Sequence, residues 1–408
     1  MRTGRRVHAH LLVMALALLL AACGSSGAHP TGGQALKIGV VVPLTGPYGA
    51  IGQAALAGVQ AEADLLNQEG GILGRKVEIL SRDDAADPGR ARAAAEDLVE
   101  NAGVEAMIPE FFPNSINAIL PVTQSAKLIT IEAAPTLDFG DPGQHPYNFA
   151  YSVPFELYPG PMAAGIKAVG GKRVGLLVNA GSSGEGQGNV IDGAMPRYGL
   201  EVVDYEKYDP ASNDVTPQLQ KLKNAGADVL VISAPGSLLG VVMDGVRDLA
   251  WKVPVVGTIG TPTGDIAKLI PSQVASQFSA VTYRILARSK PDAVDPQYRS
   301  FVRALRRQGP ILNLLTSANH ADMIRILKWG FDKAGSTDPG KVKTALETMS
   351  GSKIEPGTFL VLSNPRYSAR THTVLNADLA NNFALIKDGQ LVDGTYPGSP
   401  LAPARPIA

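Results

Sequence analysis

The sequence has a single cysteine, Cys23, among its 408 residues and no surplus of charge of either sign. One cysteine cannot form a disulfide within the chain, so the fold must be held together by core packing alone. Lys and Arg together number 37, as do Asp and Glu, and the formal net charge is zero. This balance argues against nucleic acid as a partner, and we expect no Lys/Arg cluster beyond the N-terminal leader. Apolar runs of about 20 residues, the length that spans a bilayer, are also missing.

The N-terminus explains the position of the cysteine. Three arginines within residues 1–6 precede an apolar run at residues 11–20, and small residues follow it. This order is typical of a secretory signal peptide, which we predict at residues 1–22. An ordinary signal peptide followed by an unmodified cysteine is one interpretation. The segment "LAAC" at residues 20–23 also resembles the lipobox of bacterial lipoproteins, which implies cleavage before Cys23 and a diacylglycerol on its sulfur.

Residues 23–35 are rich in small residues and would form a flexible tether. The lipobox resemblance implies that the lipid on Cys23 anchors the exported protein to the outer face of the cell membrane or in the periplasm. The rest of the chain would be soluble but held at a membrane surface.

Short apolar runs alternate with helical patterns beyond the tether. Near-continuous apolar strands, each followed by a helix, indicate parallel sheets covered on both faces. One sheet of all these strands would be unusually wide, so two doubly wound α/β domains are favoured. The predicted strands lie at residues 36–42, 77–80, 104–108, 128–131, 174–178, 201–205, 229–233, 254–257, 359–362 and 383–387. The predicted helices lie at residues 54–68, from 87–88, from about 115, and at 189–198, 215–225, 238–251, 296–308, 317–334 and 339–349.

Two details of this pattern concern the ends of elements. Asp87 and Pro88 predict a helix start, because aspartate accepts amide hydrogen bonds and proline suits the first helical position. Asp388 and Gly389 predict a hairpin turn after the last strand.

Three motifs in combination resemble one protein family. They are "PLTG" at residues 43–46, "NQEGGILGRKVEI" at residues 67–79 and "RDDAADPGRA" at residues 82–91. They are similar to motifs of the branched-chain amino acid (Leu/Ile/Val) type of periplasmic solute-binding protein. The resemblance implies the type I periplasmic-binding-protein fold, which is α/β with two doubly wound parallel-sheet lobes joined by a three-strand hinge.

The resemblance also implies boundaries and a function. A small solute, which would be an amino acid, an amide or a small carboxylate, would be captured between the lobes, without a cofactor, and delivered to an ABC permease. A lipid-anchored ligand sensor of the same fold, signalling to a membrane partner, is the alternative. The crossings between lobes would lie near residues 152–155, 282–286 and 357–360. Lobe 1 would combine residues 36–153 with 285–356, and lobe 2 would combine residues 154–284 with 357–408.

The first lobe contributes the carboxylate side of the implied site. In open α/β sheets, ligands bind beyond the carboxyl ends of the strands. The family's amino-acid binders hold the α-carboxylate there with hydroxyl residues and a Gly/Ala-Thr turn. By resemblance these positions fall at Thr136, at Ala134 as a backbone donor, and at Pro113 followed by Asn114 and Ser115. Pro113 departs from the pattern because proline has neither a hydroxyl nor an amide hydrogen.

The second lobe departs further from the family pattern. The aromatic positions fall near Ser183 and Pro235, and the position of the ammonium-binding glutamate falls at Ile259. Glu185, Glu110 or Glu132 could substitute, although the resemblance does not put them in that role. An unpaired buried ammonium is very costly, so we do not expect leucine, isoleucine or valine as the solute.

Aromatic residues near the first lobe's strand ends suggest a more apolar pocket, for an amide, a small carboxylate or an aromatic acid. An alternative interpretation is that Phe111 and Phe112 are core residues. Thr136 could likewise only end a strand in a turn. The predicted ligand-binding residues are Tyr48, Phe112, Asn114, Ser115, Ala134, Thr136, Ser183, Glu185, Gly236 and Ile259.

Enzymatic function finds little support. The six histidines are scattered, none of those beyond the tether has zinc-ligand spacing, and no Gly-x-Ser-x-Gly motif occurs. We therefore predict neither catalytic residues nor a metal site. His320 and Asp322 lie in a helical pattern, where such a pair more often faces solvent or caps packing. "GSSGEGQG" at residues 181–188 lacks the P-loop lysine and is interpreted as a flexible strand-to-helix loop.

Overall fold

A computed structural model describes residues 33–109, 111–263, 265–288, 296–355, 358–362, 365–374, 382–387 and 395–407. The predicted signal peptide, Cys23, most of the tether, Glu110 and the predicted hairpin turn lie outside these ranges. The described chain forms an α/β structure with two sheets, as the alternating pattern predicts.

The first sheet has five parallel strands in the order β2-β1-β3-β4-β5. The central strand β1 pairs with β2 on one side and with β3 on the other, and its apolar residues are buried. The strands are β1 (Leu36–Val42), β2 (Val77–Asp83), β3 (Ala106–Pro109), β4 (Ile129–Glu132) and β5 (Asn148–Ala150). β5 was not predicted, because three residues give too short an apolar pattern.

The second sheet has eight strands in the order β11-β13-β12-β10-β9-β8-β6-β7. Its strands β6 to β10 are parallel to one another, but β12 runs antiparallel to both β10 and β13. The strands are β6 (Arg173–Asn179), β7 (Glu201–Tyr208), β8 (Val229–Ser233), β9 (Val255–Gly257), β10 (Phe278–Tyr283), β11 (Ala287–Arg288), β12 (Phe383–Lys387) and β13 (Tyr396–Pro400). Because β11 pairs with β13, the second sheet extends past residue 284, the predicted end of this lobe segment.

Eleven α-helices occur in the described ranges. They are α1 (Gly49–Gln68), α2 (Pro88–Asp97), α3 (Pro113–Ser125), α4 (Pro159–Ala168), α5 (Ser182–Ala194), α6 (Thr216–Asn224), α7 (Leu238–Asp248), α8 (Ile266–Leu269), α9 (Pro296–Gln308), α10 (Leu314–Ala334) and α11 (Pro339–Glu347). The predicted start of α2 is confirmed, since the Asp87 carboxylate accepts a hydrogen bond of 2.8 Å from the amide of Arg90. Within these ranges no helix combines the length and apolar character needed to cross a bilayer.

The late helices return to the first sheet. α9 and α10 pack against α1, although more than 200 residues separate them in sequence. The contact of α10 with α1 is close at Gly58, where an added Cβ would lie 2.0 Å from the carbonyl oxygen of Ser317. The Ser317 hydroxyl donates to the carbonyl of Ala54 at 2.7 Å. The N-terminal part of α10 is thereby fixed against α1.

Two predictions about local structure are wrong, and one of two alternatives is excluded. Residues 359–362 form no strand, because the amides of Leu360 and Val361 donate hydrogen bonds to the Asp322 carboxylate and not to a neighbouring strand. The segment at 181–188 is largely helical, since α5 begins at Ser182. His320 and Asp322 do not face solvent; both are buried.

The expected absence of a basic cluster is also wrong. α9 is amphipathic, with its apolar residues Phe301, Val302, Ala304 and Leu305 buried. The opposite face of this helix is exposed and carries four arginines, which are Arg299, Arg303, Arg306 and Arg307.

Candidate ligand-binding site

A cavity of about 260 Å³ lies where the strands of both sheets end. Tyr48 follows β1, Phe111 follows β3 and Ala133 follows β4 on the first sheet. Gly181 follows β6 and Ile259 follows β9 on the second sheet. The cavity therefore lies at the carboxyl ends of the parallel strands, where this class of sheet binds ligands.

Aromatic rings form much of the wall. The ring centroids of Tyr48 and Phe112 are 4.6 Å apart, and so are those of Phe111 and Phe112. Both phenylalanines are only partly buried and line the cavity, and Phe111 also packs against the main hydrophobic core. The other aromatic wall residues are Phe155, Tyr158 and Tyr283. Such a surface favours an apolar or aromatic solute.

The N-terminus of α3 supplies polar groups to the first-lobe wall. Proline at position 113 starts the helix, and the first intrahelical bond runs from the Ile116 amide to the Phe112 carbonyl at 3.1 Å. The amides of Asn114 and Ser115 precede that bond, and both residues line the cavity. The Ser115 side chain is fully buried, and its Oγ has no hydrogen-bond partner among the described residues. This arrangement suits a carboxylate or a carbonyl oxygen.

The N-terminal part of α10 forms another section of the wall. Asn313 caps this helix by accepting a hydrogen bond of 3.1 Å from the Thr316 amide. His320 is 1% exposed, and burial lowers its pKa to about 4, so the ring is neutral near pH 7. Sequence reasoning missed these residues because the predicted helix began at residue 317. Asn-Leu-Leu-Thr at residues 313–316 was the available signal for the earlier cap.

The second sheet contributes the opposite wall. The side-chain amide of Asn179 donates a hydrogen bond of 3.1 Å to the carbonyl of Ser233, which joins the ends of β6 and β8. Gln187 on α5 lines the cavity and is 6% exposed, and its Oε1 has no partner among the described residues. Ser183 and Ile259 complete the part of this wall that the sequence predicted.

The structure brings six of the ten predicted residues to the cavity, which are Tyr48, Phe112, Asn114, Ser115, Ser183 and Ile259. Four others do not line it. Ala134 donates its amide hydrogen to the buried Glu132 carboxyl group, and Gly236 donates its own to Thr263 Oγ1. Glu185 forms an ion pair of 2.9 Å with Lys207. Thr136 has a buried Oγ1 without a partner among the described residues, but it lies outside the cavity wall.

The described part of the wall is electrostatically neutral. Among the described residues that line the cavity there is no Asp, Glu, Lys or Arg. Glu132 lies behind Ala133, and burial raises the pKa of its carboxyl group to about 8, so it is mostly protonated at pH 7. Its oxygens accept from the amides of Ala134 and Asn148, not from a group in the cavity. A charged ammonium would therefore find no counter-charge among the described residues of this wall.

Two of the sequence motifs meet beside the cavity. Asp83, from the motif at residues 82–91, accepts hydrogen bonds from the amides of Leu44 (2.8 Å) and Thr45 (3.3 Å) in "PLTG". Its other oxygen accepts from the Thr45 hydroxyl at 2.6 Å. Burial opposes ionisation, but these bonds and one from Ala85 outweigh it and lower the pKa of Asp83 to about 2. The motifs therefore hold the loop that leads to Tyr48.

The described residues contain no group of three or more His, Cys, Asp or Glu side chains that could hold a metal ion. The cavity wall instead combines aromatic rings, neutral amides, hydroxyls and one neutral imidazole. These groups can position a small molecule through hydrogen bonds and apolar contact.

Known proteins show the same organisation in sequence. A family model described as "Periplasmic binding protein" matches residues 35–376. The Leu/Ile/Val-binding protein homolog 3 of Brucella melitensis is 24% identical over 317 residues, which is 74% of this chain and 80% of that protein. The leucine-, isoleucine-, valine-, threonine-, and alanine-binding protein of Pseudomonas aeruginosa is 23% identical over 81% of this chain and 87% of its own length.

Solved structures show the same fold. A periplasmic binding protein type 1 from Bordetella pertussis matches with a TM-score of 0.76 and 20% identity, over 90% of this chain and 100% of that one. An ABC transporter solute-binding protein from R. palustris, in complex with 4-hydroxybenzoate, has a TM-score of 0.73 and 21% identity, over 91% of this chain and 96% of that one. The branched-chain amino acid transporter protein LivJ of Streptococcus pneumoniae, in complex with isoleucine, has a TM-score of 0.74 and 19% identity over 91% and 100%.

The family match covers most of the chain, and the two sheets, the cavity between them and the relatives agree with it. The chain belongs to the periplasmic binding protein family and has the type I fold, and the curated relatives it matches are Leu/Ile/Val-binding proteins.

Proposed function

We propose that this protein captures a small solute and delivers it to an ABC permease. The solute is a carboxylate or an amide, and it carries no ammonium group. The observation that carries this proposal is the neutral wall of the cavity, in which no described residue is an Asp, Glu, Lys or Arg. A buried ammonium needs a counter-charge or several acceptors. A buried carboxylate also needs compensation, and the N-terminus of α3, with its free amides and the Ser115 hydroxyl, offers it through donors and the positive end of the helix dipole.

The family supports the transport role, and its members differ in solute. Relatives with this fold include one in complex with isoleucine and one in complex with 4-hydroxybenzoate. The aromatic wall of this chain fits the second kind of solute better, since rings stack favourably on rings. The altered, more apolar site is thus the feature by which we distinguish this chain from amino-acid binders.

We further propose that two lobes close over the solute. Residues 36–153 with 285–356 would form one lobe, and residues 154–284 with 357–408 the other. The amides of His372 and Val374, however, donate to the carbonyls of Gly140 and Ala150 beside the first sheet, which favours a third crossing after residue 374 over one near residues 357–360. The pairing of β11 with β13 favours a crossing that ends after residue 288 and not before it. The cavity residues Ser115 and Gln187 would face each other across the closed cleft, because α3 follows a strand of the first sheet and α5 a strand of the second.

A lipid anchor on Cys23 is part of the proposal. It would keep the protein beside its permease at the outer face of the membrane. Cys23→Ala should release the protein from the membrane fraction without changing its affinity for the solute. Equal membrane retention of this variant would contradict the anchor and leave the solute-binding proposal intact.

The solute class is tested by thermal denaturation with matched pairs. Leucine is compared with 4-methylpentanoate and valine with 3-methylbutanoate, which lack only the amine, and benzoate is added as an aromatic acid. At about 100 times its dissociation constant, a ligand adds about 2.7 kcal/mol to stability. We expect acids to raise the melting temperature and amino acids not to. A shift with leucine or valine alone would overturn the proposal.

Ser115→Ala tests the carboxylate end of the site. Loss of this buried donor should weaken binding of the acids about tenfold. Ser272→Ala is the matched control, because Ser272 is exposed and lies outside the cavity wall. Equal affinity of both variants would place the carboxylate elsewhere.

A further inference from the structure

The wall formed by α10 holds a polar group that the carboxylate end of the site leaves unused. His320 Nδ1 lies 2.8 Å from the carbonyl oxygen of Thr316, and a carbonyl oxygen only accepts. Nδ1 therefore carries the hydrogen of the neutral ring, and Nε2 is an acceptor. His320 is 1% exposed and lines the cavity, and no described residue donates to its Nε2.

Asn313 supplies the complementary group at the same helix end. Its Oδ1 is fixed toward the Thr316 amide by the cap, so its Nδ2 carries the two donor hydrogens. This side chain is 6% exposed and lines the cavity, and Nδ2 has no hydrogen-bond partner among the described residues. One helix end thus presents a buried donor and a buried acceptor to the cavity.

Both side chains converge on one residue of a fixed helix. Asn313 Oδ1 accepts from the amide of Thr316 at 3.1 Å, and His320 Nδ1 donates to the carbonyl of the same residue at 2.8 Å. The polar ends of the two side chains are therefore closer together than the two helical turns between their backbones. Ser317, between them in sequence, is fixed to α1 through the Ala54 carbonyl and the close approach at Gly58. The helix therefore cannot turn its polar groups away without disrupting the packing of the first lobe.

We propose that Asn313 and His320 form a second polar subsite, which accepts a hydrogen bond from the solute at His320 Nε2 and donates one to it from Asn313 Nδ2. The inference rests on the proposed function and names its substrate class. The solute carries a neutral group that both donates and accepts, a hydroxyl or a carboxamide, at a distance from its carboxylate.

The chemistry of the subsite excludes other groups at this end. A methyl group or a bare ring edge would leave both atoms buried and unpaired, which is unfavourable. A second carboxylate would meet the lone pair of Nε2 and repel it. A hydroxyl satisfies both atoms, and so does a carboxamide, whose nitrogen donates and whose oxygen accepts.

The test compares acids that differ only in this group. Dissociation constants are measured by calorimetry on the purified full-length protein, in detergent, for 4-hydroxybenzoate against benzoate and for 5-hydroxypentanoate against pentanoate. We expect the wild-type protein to prefer the hydroxylated member of at least one pair about tenfold or more. His320→Phe keeps a flat ring but removes the acceptor, and should reduce that preference to about threefold or less.

A second variant tests the subsite without the histidine. Asn313→Asp keeps the cap of α10, because aspartate is an equally good cap, but replaces the donor by an acceptor. It should also reduce the preference to about threefold or less. His145→Phe is the matched control for the histidine variant, since His145 lies outside the cavity wall, and it should leave the preference unchanged.

The outcomes separate this inference from the proposed function. Binding of the acids by the wild-type protein without a preference for the hydroxylated member overturns only the subsite. An unchanged preference in both subsite variants, or an equal loss of affinity for both members of a pair, also overturns it. If no acid of either kind binds, the proposed function fails, and the subsite inference fails with it.

Discussion

The phenolic hydroxyl of Tyr151 donates a hydrogen bond to the carboxylate of Asp322, a residue 171 positions further along the chain. Both side chains are buried. The same carboxylate accepts from the amides of Leu360 at 2.7 Å and Val361 at 2.9 Å. Asp322 therefore joins α10 to the end of β5 and to residues 360–362. The end of β5 leads into the first of the predicted crossings between lobes, near residues 152–155.

Tyr151→Phe removes one donor to Asp322 and leaves the Leu362 amide without its acceptor, which is the Tyr151 hydroxyl. We expect the free energy of unfolding to fall by about 1–3 kcal/mol, because the groups left behind are buried. Urea denaturation measures this loss. Tyr205→Phe is the matched control, since the hydrogen bond from Tyr205 to Asn189 is exposed and its loss should change stability by less than about 0.5 kcal/mol. Equal effects of the two variants would contradict the structural role of the pair.

Gly58→Ala places a Cβ 2.0 Å from the carbonyl oxygen of Ser317, so α1 and α10 must separate. We expect a loss of about 1–3 kcal/mol in stability and weaker solute binding, because α10 forms part of the cavity wall. Gly193→Ala is the control. No atom lies within 4 Å of a Cβ at that helical position, and the change should be neutral or stabilising by about 0.5–1 kcal/mol. Similar melting temperatures of the two variants would show that the helices are not in close contact.

Glu132→Gln should alter the pH dependence of stability. Burial raises the pKa of Glu132 to about 8 in the folded state, above the value of the unfolded chain. The stabilisation that the neutral Glu132 carboxyl group provides is therefore complete below pH 4. It is lost as the pH rises toward 8, and the free energy of unfolding falls by up to about 1.4 kcal/mol per pH unit. Glutamine stays neutral and should remove this loss.

The measurement for Glu132 is the free energy of unfolding at pH 5, 6.5 and 8. The advantage of Glu132→Gln over the wild-type protein should grow with pH. Glu355→Gln, at an exposed position, is the control and should show no such trend. A constant difference across the three pH values would mean that Glu132 is already ionised in the folded protein.

Asp83→Asn tests the joint between the two sequence motifs. The carboxylate accepts from Leu44, Thr45 and Ala85, and hydrogen bonds to charged groups contribute about 1.5–3 kcal/mol each before partial exposure weakens them. We expect a loss of about 1–2 kcal/mol at pH 7. Because the pKa of Asp83 is lowered to about 2, its contribution is present above pH 4 and lost as the pH falls toward 2.

The difference between Asp83→Asn and the wild-type protein should therefore shrink between pH 5 and pH 3 in urea titrations. Asp209→Asn is the control, because the Asp209 carboxylate accepts from one exposed amide, that of Ala211. A loss that does not change with pH would point to steric disruption instead of a missing charge.

The sequence predicts the strongest elements of the fold well. The apolar run of β1 and the helix α9 were predicted with the bounds that the structure shows, since their periodicity is unambiguous. Elements whose form depends on distant partners were missed. β5 pairs through only three residues. Residues 359–362 have the apolar pattern of a strand, but the amides of Leu360 and Val361 donate hydrogen bonds to Asp322 instead.

The candidate site was only partly predictable for the same reason. Asn114 and Ser115 could be placed by the family resemblance, and Tyr48 by its position in the loop after the first strand. His320 and Asn313 could not, because α10 reaches the cavity only through its packing on α1. Ala134 was predicted as a backbone donor to the solute, whereas its amide donates a hydrogen bond to Glu132, a contact that no local pattern reveals.

The close contact between Gly58 and Ser317 has a kinetic consequence. Ser115 and His320 are both fixed to the first sheet, so their separation stays the same when the proposed lobes move apart. An arriving solute meets this half of the site at its final dimensions, whereas Gln187 and Ile259 reach it only on closure. We expect association rates to respond to changes at Ser115 and His320, and residence times in the closed protein to respond to changes at Gln187 and Ile259.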